Sequence, residues 1–427
     1  MNFDILEFLR SLADLTVFDY VRSVWGDAPW LEAVLDVIGV LTVSTFALLI
    51  VFVLGWGERK ILARIQDRIG PNRVGGRYGL LQMVADVVKM MTKEVIIPSG
   101  ADLVAYLSAP ALAIMTSLLL FAVLPFAPGV IGVDLNVGVF YVLAVSSVSV
   151  VAILLAGWGS NNKYALLGAF RAVAQLISYE VPMIIALLVP ILLARSMSTV
   201  ALVEAQSLPF LFFVPLSAGI FFVSALAEAG RTPFDLLEAE SEIVAGFHTE
   251  YSGMNFGLFM AAEYISALFM SALFVTAYLG GYRFFGVEDI VLANGFALGR
   301  GLAFLVLAIK TTLVFFIFMW VRGTLPRFRI DQLLNFNWKF MVPLALVVLF
   351  VAAVLDKLLP ADVTPFARAG AHLISNVLIG LAALEIIRRY AQQQRLLQED
   401  VLAARVRSRL EPEVTAPTLS ETIGAHS

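Results

Sequence analysis

An all-α polytopic membrane protein is the fold class this sequence predicts, and three observations predict it. The 427 residues are 60% hydrophobic and 15% charged, whereas an ordinary soluble domain carries about 25% charged residues. Stretches without charge recur along the chain at the length a membrane crossing requires. Between them, Lys and Arg crowd into every second loop. Lipid offers no water to backbone N–H and C=O groups, so an apolar run there closes its own hydrogen bonds as a helix. About 20 residues cross ~30 Å of hydrocarbon. The pattern predicts eight core transmembrane helices plus a ninth, with one interfacial amphipathic helix after the first span.

In chain order, residues 1–30 form an N-terminal interfacial segment. Its acids (Asp4, Glu7, Asp14, Asp19) argue against a signal peptide, and Ile5 to Val24 suit a short interfacial helix. The first span is Val37–Gly57. Within Tyr78 to Ile97, the polar residues Gln82, Asp86, Lys89 and Lys93 fall on one helical stripe, and Leu80, Val84, Val87, Val88, Met91 and Val95 cover the rest. That is an amphipathic helix lying in the interface. Leu103–Val133, Leu135–Asn162 and Ala205–Ala227 are uncharged spans. Ala172–Ala194 holds Glu180, Tyr251–Tyr282 holds Glu263, and Gly301–Val321 holds Lys310. Phe340–Leu355 closes an eight-helix membrane domain over residues 31–358. Residues 359–390 carry the ninth span, Ala369–Ile387. Residues 391–427 form a polar tail, partly helical and fraying into disorder.

Nine spans fix which loops share a side. The loops 56–102, 159–171, 229–255 and 322–339, with residues 388–427, hold 21 of the 29 Lys and Arg. The basic side faces the cytoplasm, which puts the N-terminus outside and the C-terminus inside. That same side holds the long, motif-rich loops, so specific chemistry is expected there.

The segment from Glu58 to Arg73 is strongly basic and ends on Gly70-Pro71-Asn72. The bland alternative is a topology anchor on anionic lipid, but Gly-Pro-Asn marks a built turn. A charge at the bilayer centre costs about 2.5–3.5 kcal/mol on insertion scales, so Glu180, Glu263 and Lys310 are expected to face a polar interior. Structural pairing is the alternative to proton or ion handling. The densest acidic stretch runs from Ala227 to Tyr251. It holds Glu228, Asp235, Glu238, Glu240, Glu242 and Glu250 around Arg231. On a helix, Asp235, Glu238 and Glu242 would share a face, with Glu240 pointing elsewhere. Clustered carboxylates disfavour one another's ionisation and titrate as a coupled set. A solvated acidic loop is the plain reading, yet Phe234, Leu236, Leu237, Ile243, Val244 and Phe247 are threaded through it. The chain has no Cys and three His (His248, His372, His426). It therefore offers no thiolates to an iron–sulfur cluster.

Four segments carry a resemblance. They are ERKILARIQDRIGPNRVGG from Glu58, GWGSNNKYALLGAFRAVAQLISYEVP from Gly157, AEAGRTPFDLLEAESEIVAGFHTEYSG from Ala227, and RGTLPRFRIDQLL from Arg322. From Glu58 to about Lys339 the chain resembles the H subunit of bacterial respiratory complex I, the proton-pumping NADH:quinone oxidoreductase. It departs from the family pattern at Gly76, where Pro is usual, and at Gly230, where Asn is usual. The resemblance implies a non-redox subunit of the bacterial inner membrane that, with the hydrophilic arm, forms the entrance tunnel for ubiquinone or menaquinone. The isolated chain has no activity of its own. FMN and iron–sulfur clusters would sit in partner subunits, and this chain would bind no cofactor, metal or nucleic acid. Its partners would be hydrophilic quinone-module subunits, adjacent small membrane subunits and lipid. By the resemblance, Arg59, Asp86 and Glu263 face the quinone cavity. Glu180, Glu228, Arg231, Asp235, Glu238, Glu240, Glu242 and Glu250 form the proton and coupling path. Arg322, Arg327 and Arg329 serve the docking surface.

Three rivals remain open at the level of sequence. One is the homologous membrane subunit of a membrane-bound hydrogenase or another donor:quinone complex. A second is an independent ion transporter, which usually shows paired broken helices from inverted repeats. A third is a membrane anchor whose buried carboxylates tolerate neutralisation.

Overall fold

Apolar runs become helices here, and prolines and polar residues set where they bend and stop. The computed structural model describes residues 11, 15–25, 28–235, 244–284, 286–287, 298–360 and 364–410, the side chains of 390–391 and 394–410 excepted. The helices are α1 (Val17–Trp25), α2 (Pro29–Ile65), α3 (Gln82–Thr92), α4 (Leu103–Leu119), α5 (Gly138–Gly159), α6 (Lys163–Ala194), α7 (Thr199–Glu204), α8 (Pro215–Glu228), α9 (Gly253–Tyr278), α10 (Leu298–Thr324), α11 (Ile330–Phe336), α12 (Val342–Leu358) and α13 (Pro365–Leu410). Among the described residues, eight helices are long and apolar enough to cross a membrane, and α8 is a shorter apolar one. The nine fall where the nine predicted spans lie.

Several boundaries differ, each for a local reason. α2 runs on to Ile65 because Glu58-Arg59-Lys60-Ile61-Leu62-Ala63-Arg64 are all good helix formers, and the turn at Gly70-Pro71 follows. Residues 163–171, predicted as loop, belong to α6, whose first turn is capped by the Asn162 side chain accepting from Tyr164 N–H at 2.9 Å. The uncharged run 205–227 yields only the 14 residues of α8. Pro209 and Pro215 delay its start. The predicted amphipathic helix is α3, with no fully buried residue and with Val88 and Met91 exposed. α11 joins α12 through a wide turn at Asn337–Met341, so this span begins earlier than Phe340.

Two compact units divide the chain at residue 374. In the first, α4 packs on α5 and α9, α5 on α6, α6 on α8 and α12, and α9 on α10. Small residues let these backbones approach: Ala109, Ala113, Ala152, Ala156, Ala169 and Ala172 form one buried seam. α9 is the central column. Its most apolar stretch is 67% buried, against 11% for α2. The described part of the second unit is the continuation of α13 to Leu410.

Three prolines inside helices show how this core satisfies its backbone. Each removes an N–H and frees the carbonyl four residues earlier. Pro110 frees Tyr106 C=O, which accepts from Tyr251 OH at 3.0 Å. Pro182 frees Ser178 C=O, which accepts from Asn337 Nδ2 at 2.5 Å. Pro190 frees Ala186 C=O, which accepts from Ser217 Oγ and Tyr278 OH, both at 2.9 Å. The bends that shape the interior are thus tied to neighbouring segments. Lys310 is answered similarly. Its ammonium donates to the carbonyls of Leu279, Gly281 and Arg283 at 2.7–3.1 Å, just past the C-terminus of α9. The structural reading of that lysine is the one its contacts support.

Candidate functional site

The buried charges gather at the end of the helix bundle where α2, α8 and α10 carry their polar residues. Glu58 is 2% exposed and Arg231 is 4% exposed. Glu58 Oε1 accepts from Arg231 Nη1 at 3.3 Å and from Arg322 Nη1. Arg231 Nε lies 3.4 Å from Glu263 Oε1, and its guanidinium stacks 4.4 Å from the Tyr264 ring centroid. Two acids and two arginines therefore form one network at the junction of α2, the turn after α8, α9 and α10. Arginine suits this place because its planar fork serves several acceptors and stacks on a ring.

A cavity of about 90 Å³ opens beside the network. Glu228, from the last turn of α8, and Glu263, from α9, both line it. Ser117, Ser146, Ser149 and Ser266 supply hydroxyls, and Phe247, Phe259, Leu120 and Met270 supply apolar walls. His248 completes the lining. Glu228 Oε2 is buried with no hydrogen-bond partner. Glu180, on α6, accepts from Ser147 Oγ at 2.6 Å.

The loop between α8 and α9 is held from several sides. Gln175, fully buried on α6, donates through Nε2 to Ala227 C=O at 2.9 Å and Phe234 C=O at 2.7 Å. One amide thus spans both feet of the turn bearing Glu228 and Arg231. Gly230 in that turn has φ +61°, a left-handed conformation that Gly and Asn both tolerate. The unusual Gly therefore suits this turn. Asp235, buried and outside any helix, accepts from Arg327 Nη2 at 2.8 Å. Farther on, Glu250 Oε1 accepts from Asn162 Nδ2 at 2.6 Å. Its carbonyl accepts from Tyr106 OH at 2.8 Å, and Tyr106 stacks on Tyr251.

Next to Glu58 on α2, Arg59 Nη1 donates to Asp86 Oδ2 at 2.5 Å, joining α2 to α3. Gln82 Nε2 donates to the other oxygen at 3.3 Å, and Lys89 stands 3.9 Å from it.

The predicted residues thus separate into groups. Arg59 and Asp86 form a pair. Glu263, predicted to sit with them, lines the cavity with Glu228 and pairs with Arg231. Arg322 reaches inward to Glu58 and Arg327 to Asp235. Arg329 starts α11, its N–H donating to Gln332 Oε1 at 3.3 Å. Glu238, Glu240 and Glu242 lie outside the described residues. Glu58 is the important residue that sequence spacing did not single out. The signal available for it was its position as the only acid at the head of a basic helical run.

All of these residues fall in the part of the chain that known proteins share. The family profile described as NADH dehydrogenase matches residues 38–353. The chain is 46% identical over 339 residues to the H subunit of the NADH-quinone oxidoreductase of Dehalococcoides mccartyi strain CBDB1, covering 79% of this chain and 91% of that protein. The chain belongs to the H-subunit family of NADH-quinone oxidoreductases. The protein of that name from Geobacillus kaustophilus is 47% identical over 298 residues, 70% of this chain and 86% of its own length. An H subunit numbered 2 from Syntrophobacter fumaroxidans is 45% identical over 333 residues, 75% of this chain and 96% of its own. This member of the family continues past the shared profile, which ends at residue 353. There Asp356, on α12, lies 3.5 Å from Arg195 at the end of α6 and 3.8 Å from Arg368 in the first turn of α13. Those ion pairs fasten the beginning of the extension to the shared fold.

Proposed function

We propose that this chain is the membrane subunit of a bacterial inner-membrane NADH:quinone oxidoreductase in which buried carboxylates couple quinone reduction to proton translocation. The observation that carries the proposal is the cavity holding Glu228 and Glu263 beside an arginine pair, in a chain of the H-subunit family. An acid kept in apolar surroundings holds its proton more tightly than one in water and responds to a charge appearing nearby. Such groups are suited to proton transfer near neutral pH. The chain has no Cys, so the electron carriers, FMN and iron–sulfur clusters, are assigned to partner subunits on the cytoplasmic side. The excess of Lys and Arg in the loops on that side supports an N-terminus outside and a C-terminus inside.

Quinone and proton are assigned to different places. Pockets for molecules of drug size run to about 300–1,000 Å³. A volume of about 90 Å³ accommodates water rather than a quinone ring. The quinone, ubiquinone or menaquinone, is assigned to the side where α3 and the Arg59–Asp86 pair face outward, to be enclosed by the hydrophilic partner. Glu263 belongs to both descriptions, because it faces the cavity while holding Arg231, which holds Glu58. Protonating Glu263 weakens its grip on Arg231 and shifts the network. This is the differential interaction that coupling requires. Glu180, Asp235, Glu238, Glu240, Glu242 and Glu250 extend the acidic path. Arg327 and Arg329 flank the docking surface.

Two substitutions test the assignment in the assembled complex. Glu228→Gln keeps the volume and removes the proton site. Quinone-dependent proton translocation in membrane vesicles is expected to fall by about a hundredfold, the lower end of what a proton-transfer group contributes. Wild-type translocation would refute the acidic path. Asp86→Asn removes the charge that Arg59 answers. The KM for a short-chain quinone is expected to rise about fivefold, the equivalent of about 1 kcal/mol for a partly exposed ion pair. An unchanged KM and unchanged inhibitor sensitivity would remove this pair from the quinone route.

A further inference from the structure

We infer that His248 is a proton-transfer residue of the cavity, carrying protons between Glu228 and Glu263 through its two ring nitrogens. This deepens the proton role proposed above and rests on it. Three observations lead to it. His248 lines the same cavity as the two carboxyls, and no other acid or base lines it among the described residues. The side chain is 93% buried, with 7% exposed. Its Nδ1 is fully enclosed with no hydrogen-bond partner, although a buried polar nitrogen is normally bonded. A histidine that served packing alone would not keep a bare, enclosed nitrogen in the wall of a cavity that two acids also line.

The setting also holds the ring in place. Phe247 lies tilted against it at 3.8 Å between ring centroids, and Phe256 and Phe259 meet it edge-on at 5.4 and 5.3 Å. His248 N–H donates to Ala245 C=O at 3.3 Å, and its own carbonyl accepts from Tyr251 N–H at 2.9 Å. Burial in this apolar collar lowers the imidazole to about 3, so the ring is neutral throughout the physiological range. A neutral imidazole has one donor and one acceptor nitrogen. It relays a proton without resting as a cation in a low-dielectric site.

The transfer balances as follows. The carboxyl of Glu228 releases its proton, through cavity water, to the unprotonated ring nitrogen. The other nitrogen releases its proton towards the carboxylate of Glu263. Glu228 is left ionised, Glu263 protonated and the ring neutral in the opposite tautomer. The starting tautomer returns when cavity water takes the proton from the newly protonated nitrogen and delivers one to the other. The volume suits a short water chain lined by the serine hydroxyls. The arriving proton loosens the contact between Glu263 and Arg231, so the relay feeds the ion network directly.

The test uses the assembled complex in membrane vesicles, with Glu228→Gln as comparator. His248→Phe keeps the aromatic collar and loses both nitrogens. His248→Gln keeps a donor and an acceptor but cannot exchange protons between them. Both variants are expected to assemble and to lose at least tenfold in quinone-dependent proton translocation. A histidine methylated on one ring nitrogen, introduced at position 248, is expected to do the same with the least change of shape, and it decides the matter if either variant fails to assemble. Wild-type translocation in His248→Phe, or in the methylated protein, overturns the inference. So does wild-type translocation in His248→Gln, which would show that polarity alone suffices. If these proteins are active while Glu228→Gln is not, only the histidine role fails. If Glu228→Gln is also fully active, the proton role of the cavity fails with it.

Discussion

Glu58→Ala is expected to destabilise the protein by about 3–5 kcal/mol, the usual cost of removing one partner from a buried ionic group. Glu58 accepts from both Arg231 and Arg322, and it is more enclosed than either. Truncating it leaves two arginines facing each other without the carboxylate to which both donate. Like charges in a region of low dielectric repel strongly. No solvent route relieves Arg231, whose side chain is 5% exposed. The readouts are abundance in the membrane and thermal unfolding in detergent. A paired substitution, Glu58→Met with Arg322→Met, removes one charge of each sign and leaves Arg231 with Glu263. It is expected to recover most of the lost stability, because buried ion pairs often exchange for apolar contacts at little cost. Equal losses in the single and paired variants would show that the carboxyl matters for packing rather than for charge balance. If quinone reduction stays low in the stable pair, the network serves function as well as folding.

Much of this architecture is legible in the sequence because lipid imposes a blunt rule. A run of about 20 apolar residues can cross only as a helix, and the nine spans follow from that. Hydropathy is blind to a helix that continues among charged residues, as α2 does through Arg59, Lys60 and Arg64. It is equally blind to a proline that shortens one, as at α8. The acidic path is half legible. Glu228 and Glu263 stand out because charge is expensive where they sit, and the structure brings them to one cavity. Arg231 also meets Glu58, 173 residues away in sequence. Spacing carries no information about such a pair. Asp235 is held by Arg327, 92 residues away in sequence, and Glu238 and Glu242, which would share its face on a helix, lie outside the described residues. His248 shows the same limit. Nothing in the order of residues reveals that one nitrogen stays bare, because that depends on which rings close around it.

Gly168→Ala is expected to damage function more than so small a change suggests. Gly168 lies on α6 where the helix meets the loop carrying His248. A Cβ built there would stand 2.7 Å from Gly246 C and Cα and 2.9 Å from Phe247 N. All three are backbone atoms, so no side chain can swing aside. Either α6 retreats from the loop or the loop shifts by several tenths of an ångström. Overpacking of this kind typically costs about 1–3 kcal/mol, seen as a lower unfolding temperature in detergent. The shift falls on residues 246–248, of which Phe247 and His248 line the cavity, and displaces His248 relative to Glu228 and Glu263. Proton transfer depends steeply on such distances, so quinone-dependent translocation is expected to fall further than stability does. Gly219→Ala is the control. It lies within α8 with no atom inside 4 Å of the added carbon, so a gain of about 0.4–1 kcal/mol and unchanged translocation are expected. If Gly168→Ala matches this control in both measurements, the loop is free to yield, and the cavity does not need the close approach that a glycine at position 168 allows.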